Sequence, residues 1–280
     1  MAPSYAAPQP PSEQGEKPVT VLVTGFGPFL TRFPKNSSWE IASTLPSLLP
    51  SSPTNKTPIH IHVHHEPIRV AYATVLNLIP NLLPPGNPMY PVADIVLHIG
   101  LAAGRNYYAI EQGSRSRGYG NIADVDRQRF DDESAEKQFP ASKFPSTLST
   151  SFDTADILAC WKESLKSSSS SSSSEVGSTK SPDVRISSDA GNFLCGFIYY
   201  NSLAHYFSIK EDERPVIFLH VPDLTSSEAK MKEGWEVTVA LIKALVESRR
   251  KAGGIIVDGQ RRSQEAHNGT YGAQTDNNFA

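Results

Sequence analysis

Five runs of apolar, largely β-branched residues recur along the chain, and each predicts a strand. The first, VTVLVT at 19–24, is continuous and ends at a glycine, which is typical of a strand buried on both faces of a sheet. In the second, at 60–65, histidines alternate with apolar positions. The other runs lie at 93–100, 184–191 and 215–222.

Helix signals occupy the segments between these runs. Asn36 is positioned to cap a helix that starts near Trp39. Residues 70–79 place apolar side chains at helical spacing and are followed by Pro80, which we expect to end the helix. Thr225 and Glu228 have the spacing of a capping box ahead of a long helix with one apolar stripe.

The alternation of strand and helix signals predicts an α/β protein. We expect a three-layer α/β/α sandwich with a mostly parallel twisted sheet, of the phosphorylase or hydrolase type, as a single domain over residues 19–257. Residues 1–18 are polar and Pro-rich and predict a disordered leader, and residues 258–280 predict a disordered tail. A low-complexity insertion at about 131–182 contains a serine run, and we expect it to leave the packed domain.

Composition and charge exclude several classes of protein. The formal net charge of −3 provides no basic surface for nucleic acid or for a membrane. No run of 18 apolar residues is present, which argues against a membrane span. Two cysteines are too few for a disulfide framework and indicate a reducing compartment. We therefore expect a cytoplasmic protein that binds neither nucleic acid nor membranes.

Three reactive side chains follow predicted strands at the edge of the sheet where ligands of α/β proteins bind. Cys195 lies where a turn passes into a helix, His220 ends a strand, and Glu111 follows another strand. A helix N-terminus favours a thiolate, an imidazole can take the thiol proton, and a carboxylate can fix the imidazole tautomer. Each residue alone also suits an ordinary role, in the core or on a solvated helix, but together they favour a hydrolase.

Four motifs carry a resemblance to a known family. TGFGPF at 24–29, SDAGNFLC at 188–195 and FLHVPDL at 218–224 resemble segments of pyroglutamyl peptidase I, a family of cysteine peptidases. The stretch NSSWE at 36–40 resembles the N-P-S-W-E helix start of that family, with Ser37 where proline is usual. The motifs follow the order of the family over about residues 19–250.

The resemblance implies a role for each matching residue. Cys195 is the nucleophile, His220 is the base that takes its proton, and Glu111 is the acidic member of the triad. Because the surroundings of Glu111 match the bacterial pattern poorly, Asp124 or Asp126 is the alternative acid. The residues implied to contact substrate are Phe26, Phe29 and Phe193 around the lactam ring, Leu101 through its backbone, and Arg127 near the active site.

The family resemblance also implies the activity. The expected function is an omega peptidase that removes N-terminal pyroglutamate from peptides by thiolate attack, with no metal and no cofactor. A slot of three phenylalanines suits a small neutral lactam, because a charged α-ammonium group would be costly to desolvate there. The expected partners are peptides with N-terminal pyroglutamate.

Other interpretations stay open from the sequence. A catalytically silent homologue would bind pyroglutamyl peptides or a protein partner without turnover. A phosphate-using transferase of the same architecture would need a phosphate cradle, for which LAAGRN at 101–106 is the candidate.

Three histidines suggest a metal site, an interpretation that we disfavour. His60, His62 and His64 share one face of a strand. Cys160 is most simply a packing residue.

Overall fold

The structure, a computed structural model, describes residues 17–29, 34–52, 55–86, 89–169 and 181–253. The strands are β1 (Val19–Gly25), β2 (Leu48–Leu49), β3 (Ile59–Val63), β4 (Ile95–Leu101), β5 (Tyr108–Glu111), β6 (Gly113–Arg115), β7 (Thr147–Ser149), β8 (Val184–Ser187) and β9 (Val216–Val221). The helices are α1 (Ser37–Ala42), α2 (Tyr72–Leu82), α3 (Asp132–Gln138), α4 (Thr154–Ser169), α5 (Leu194–Ile209) and α6 (Glu228–Lys251).

Seven of these strands form one sheet in the order β2-β3-β1-β4-β9-β5-β8. The pairs β1–β3, β1–β4, β4–β9 and β5–β8 are parallel, whereas β2–β3 and β5–β9 are antiparallel. Strands β6 and β7 form a separate antiparallel pair. The predicted mostly parallel sheet is therefore confirmed.

Two apolar clusters cover the two faces of the sheet. On one face, Val21 and Val23 of β1 pack with residues of α1, α4 and α6. On the other face, Leu22 of the same strand packs with residues of α2 and α5. Successive residues of a strand point to opposite faces, so burial on both sides gives the continuous apolar runs seen in the sequence. This arrangement confirms the three-layer sandwich.

Helix boundaries differ in two places from those predicted. Pro80 lies inside α2 rather than beyond it, and the helix ends two residues later, at Leu82. The residue that caps α6 is Ser227, whose side chain accepts from the backbone N–H of Lys230. Thr225 instead hydrogen-bonds the Asp223 carboxylate and takes no part in the cap. The cap at Asn36 is confirmed, because its side chain accepts from Ser38 N.

The described part of the insertion predicted at about 131–182 is largely folded. Residues 132–169 contain α3, β7 and α4, and Trp161 of α4 is fully buried, with Nε1 donating to Val237 O at 2.9 Å. The prediction that this segment stays unpacked was wrong, because the apolar residues on α4 form a stripe that packs against α6. The rest of the serine run, the tail 258–280 and residues 1–16 of the leader lie outside the described residues.

Candidate active site

The thiol of Cys195 lies at the start of α5. Phe193 is the N-cap residue of this helix, and Gly191, two residues before the cap, has φ +83°, a backbone conformation that favours glycine. The sulfur packs against Gly100 of β4: a Cβ built on that glycine would lie 2.8 Å from Cys195 Sγ and 2.5 Å from Phe218 Cζ. The absence of a side chain at position 100 therefore makes room for the thiol.

The imidazole of His220 lies in the strand next to that glycine. Gly100 is the register partner of His220 in the β4–β9 ladder, which brings the base and the nucleophile to the same point of the sheet. His220 Nδ1 and Glu111 Oε1 are 2.7 Å apart, and both side chains are buried. Because an ionised carboxylate only accepts hydrogen bonds, Nδ1 is the donor in this contact, and in a neutral imidazole the lone pair is then on Nε2.

Glu111 reaches His220 because β5 runs antiparallel to β9 at the centre of the site. The sequence placed Glu111 after a strand or on a solvated helix, whereas it is the last residue of β5 and is fully buried. The alternative acids lie elsewhere: Asp124 accepts from Tyr72 N at the start of α2, and Asp126 pairs with Arg69. The geometry thus brings Glu111, and neither aspartate, to the histidine.

Arg105 is a residue of this site that the sequence did not single out for it. Its Nη1 donates to Glu111 Oε1 at 2.8 Å, and its Nη2 donates to the backbone oxygen of Asp189 at 3.1 Å. One guanidinium therefore joins the carboxylate of β5 to the loop that precedes Cys195. The signal available in the sequence was the stretch LAAGRN, which was considered only as a phosphate cradle.

The electrostatic surroundings keep the thiol protonated in the free protein. Burial raises the pKa of Cys195 to about 12, the negative charge of Glu111 adds to this rise, and the positive charge of Arg105 opposes it. The sequence led us to expect a thiolate favoured by the helix N-terminus, whereas loss of hydration is the largest cause of the raised pKa of Cys195 and favours the protonated thiol. A proton must therefore leave the sulfur when it acts as a nucleophile.

A small apolar cavity of about 40 Å³ opens beside the sulfur. The structure brings together here four of the residues predicted to contact substrate, since Phe26, Phe29, Leu101 and Phe193 line the cavity with Cys195. The fifth, Arg127, does not line it: its side chain is exposed, and its backbone N–H donates to Asp124 O in a turn. The cavity wall is thus uncharged and mostly apolar, with Asn36 as a polar member.

Asn36 and Ser38 hold the loop that carries two of these phenylalanines. Asn36 Nδ2 donates to Gly27 O at 2.9 Å, and Phe26 N donates to Ser38 Oγ at 3.0 Å. Ser37, where the family usually has proline, has its own role: its hydroxyl accepts from Leu224 N at 2.9 Å. This bond ties the start of α1 to the segment that follows His220.

Three curated proteins are similar to this chain in sequence. Pyroglutamyl-peptidase 1 of Homo sapiens is 29% identical over 205 residues, which cover 73% of this chain and 79% of that protein. The proteins of the same name from Mus musculus and Rattus norvegicus match with the same identity and coverage. No protein-family model matches the chain.

The chain also matches solved structures, over 99% of their own chains in both examples below. Pyrrolidone carboxyl peptidase from Thermus thermophilus has a TM-score of 0.56 and 24% identity, over 81% of this chain and 99% of that chain. Pyrrolidone carboxyl peptidase from the hyperthermophile Pyrococcus furiosus has a TM-score of 0.59 and 22% identity, over 83% and 99% of the two chains. These structures establish the shared α/β fold. None of the described helices combines the length and apolar character that crossing a bilayer requires.

Proposed function

Because the chain is a distant homologue of the pyroglutamyl peptidase I (pyrrolidone carboxyl peptidase) family over most of its length, we propose that it is a cysteine peptidase that removes N-terminal pyroglutamate from peptides. The observation that carries the proposal is the hydrogen bond between His220 Nδ1 and Glu111 Oε1, beside a cysteine sulfur that faces an aromatic cavity. A protein that only bound a ligand would have no need for a buried imidazole and carboxylate next to a thiol.

In the proposed mechanism, Cys195 attacks the pyroglutamyl carbonyl while His220 removes the thiol proton. General-base removal during attack suits this site, because burial raises the pKa of the thiol far above neutrality. The same imidazole then gives the proton to the departing amine, and the peptide bond breaks as the thioester forms. Water, activated by His220, hydrolyses the thioester and releases pyroglutamate. Glu111 stabilises the imidazolium that forms at each transfer.

Backbone N–H groups at the start of α5 are the proposed oxyanion hole. The first N–H groups of a helix have no partner within it, and Cys195 is the second residue of α5. Its N–H therefore lies close to the atom that its own sulfur attacks. Donors fixed in this way stabilise the negative charge of the tetrahedral intermediate without reorganisation.

The cavity supports pyroglutamate as the group that is recognised. Phe26, Phe29 and Phe193 form apolar walls of suitable character for a neutral ring. The backbone of Leu101 provides polar groups. Ala102 N donates to Val221 O of β9, so the backbone groups of Leu101 point to the other side, toward β1. The pairing of β1 with β4 ends at Ile99 and therefore does not extend to Leu101. A hydrogen bond from this backbone to the lactam would distinguish pyroglutamate from proline.

Phosphate transfer, the other enzyme class considered, is disfavoured by the contacts of Arg105. The cation that a phosphate cradle would need is already bonded to Glu111 and to the backbone of Asp189. The predicted cytoplasmic location and the division into leader, domain and tail stay predictions.

Hydrolysis of a fluorogenic pyroglutamyl amide by the purified protein tests the proposal, with the prolyl amide as substrate control. We expect turnover of the pyroglutamyl compound alone, abolished in Cys195→Ser and retained in Cys160→Ser, which removes the other thiol of the chain. Circular dichroism would check that both variants are folded. Absence of turnover by the folded wild-type protein, or activity retained in Cys195→Ser, would overturn the proposal; the first result would favour the silent homologue.

A further inference from the structure

Two histidines and a glutamate follow β3 directly, away from the residues of the proposed mechanism. His64, His65 and Glu66 each have a ligand atom within 4.8 Å of those of the other two. The strand itself ends at Val63, so that these residues belong to the turn beyond it. The sequence suggested a weak metal hypothesis for His60, His62 and His64, but only the last of these belongs to the cluster.

The hydroxyl of Tyr90 lies between the two imidazoles. Its oxygen is 3.3 Å from His64 Nδ1 and 3.2 Å from His65 Nδ1. Histidines that bind metals usually use one ring nitrogen for the metal and hydrogen-bond the other to a neighbouring group, which fixes the orientation of the ring. The hydroxyl also accepts from the backbone N–H of His65 at 3.1 Å. Tyr90 is therefore placed to orient both rings through their Nδ1 atoms, and His65 Nε2 faces Glu66.

The remaining distances suit a small cation. His65 Nε2 and Glu66 Oε1 are 3.8 Å apart, and ligands bound at about 2.1 Å to a tetrahedral Zn²⁺ lie roughly 3.4 Å from one another. His64 is buried and provides a fixed ligand, whereas the side chains of His65 and Glu66 are more than half exposed and can adjust by small rotations. Water would complete the coordination.

We propose that His64, His65 and Glu66 bind one divalent transition-metal ion of the Zn²⁺ class. Two imidazoles and one carboxylate are a ligand set that such borderline ions prefer, whereas Mg²⁺ and Ca²⁺ prefer oxygen ligands alone. None of the three residues lines the cavity beside Cys195, and metal binding there does not depend on the proposed peptidase activity.

The cluster is directly followed by the segment that supports the cavity loop. Ile68 N donates to Gly25 O, and Gly27 N donates to Ile68 O, both at 2.9 Å. Phe26, which lines the cavity, lies between these two glycines in the sequence. A metal bound at residues 64–66 would therefore be held two residues from the backbone pairing that positions the cavity wall.

Isothermal titration of the full chain with Zn²⁺ tests the proposal, in a Cys160→Ser/Cys195→Ser background so that neither thiol binds the metal. We expect one ion per chain, with affinity weakened by about tenfold or more in His65→Ala and in Glu66→Gln. Both side chains are exposed, and circular dichroism would check the fold of each variant. His60→Ala, which removes an exposed histidine of β3, is the matched control and should bind as tightly as the parent.

Co²⁺ provides a second measurement, because its visible absorption reports the geometry of nitrogen and oxygen ligands. We expect absorption bands that disappear in His65→Ala and persist in His60→Ala. Lack of Zn²⁺ binding by the parent chain, or equal affinity in the parent, His65→Ala and Glu66→Gln, would overturn the proposal.

Discussion

Arg105 Nη1 lies 2.8 Å from Glu111 Oε1, with the Glu111 side chain fully buried and the Arg105 side chain 17% exposed. The guanidinium also holds the backbone oxygen of Asp189, in the loop that leads to the proposed nucleophile. A single side chain thus fixes the acid that orients His220 and the turn that presents Cys195. Arg105 is a positioning residue in our account, since it acts on substrate only through these neighbours.

Replacing Arg105 by methionine should reduce turnover and make the thiol less reactive. The positive charge of Arg105 lowers the pKa of Cys195, so its removal should raise that pKa further and slow alkylation by iodoacetamide at pH 8. We expect kcat/KM for the pyroglutamyl amide to fall by about 100-fold, with partial recovery in Arg105→Lys. Arg185→Met, which removes an exposed arginine of β8, is the control and should change neither rate. Equal effects of the methionine substitutions at positions 105 and 185 would contradict this role.

Glu111→Gln should change turnover and thiol reactivity in opposite directions. The carboxylate raises the pKa of Cys195 through its negative charge, so a neutral amide should lower that pKa and speed alkylation. Turnover should fall by about 10²- to 10⁴-fold, because an amide stabilises neither the required tautomer nor the imidazolium. The two rates would be measured on the same preparation at the same pH. If both fell together, loss of structure rather than loss of charge would be the explanation.

Gly100→Ala should damage the site sterically. The new Cβ would meet Cys195 Sγ and the Phe218 ring, so we expect a loss of about 1–3 kcal/mol in the free energy of unfolding and a clear loss of turnover. Gly104→Ala is the matched control, because a Cβ at that position meets no atom within 4 Å. Urea denaturation and kcat/KM would be measured for both variants. An unchanged Gly100→Ala protein would show that the sulfur does not pack against β4 as described.

His98 should make the protein sensitive to acid. Burial lowers the pKa of this histidine to about 3, and its ring nitrogens are hydrogen-bonded to Thr24 Oγ1 at 2.7 Å and Ser202 Oγ at 2.8 Å. Between pH 6.5 and pH 3 the unfolded chain binds a proton at His98 that the folded chain does not, so stability is lost as the pH falls through this window. The contribution of this group is at most about 1.4 kcal/mol per pH unit.

His98→Gln should therefore flatten the dependence of unfolding free energy on pH below 6.5. The comparison is with His60→Gln, which removes an exposed histidine and should leave the dependence unchanged. Chemical denaturation at a series of pH values measures both slopes. A slope in His98→Gln equal to that of the wild type would mean that His98 does not stay neutral in the fold.

Much of the central sheet was predictable, because its strands are buried on both faces. The apolar runs at 19–24 and 215–222 closely match β1 and β9, and the helix that follows Cys195 was expected from its residues. Strand β5 was missed, since four residues that include a buried glutamate carry no clear strand pattern. A helix at Cys160 and Trp161 was expected, but its packing was not, because the serine run at the end of α4 concealed the apolar stripe that packs on α6.

The site was predictable to the extent that its residues lie in motifs. Cys195, His220 and the phenylalanine cavity follow from segments that resemble the family, and the structure brings them together. The contact between Arg105 and Glu111 was not predictable. Arg105 lies in a loop and Glu111 in the strand that follows it, and the sequence does not show whether two such side chains face each other or face solvent. Arg127 shows the converse: the family resemblance implied a place near the site, but its side chain is exposed and does not line the cavity.

Covalent labelling with a pyroglutamyl chloromethyl ketone, followed by peptide mass spectrometry, tests the central claim most directly. The reagent places its ketone where the scissile carbonyl would be and an alkylating methylene, which loses chloride, next to it, so it reports the cavity and the nucleophile together. We predict modification of Cys195 and not of Cys160, at a rate far above that of the prolyl analogue. Equal labelling of the two cysteines, or equal rates for the two reagents, would contradict a lactam-binding cavity beside a nucleophilic Cys195.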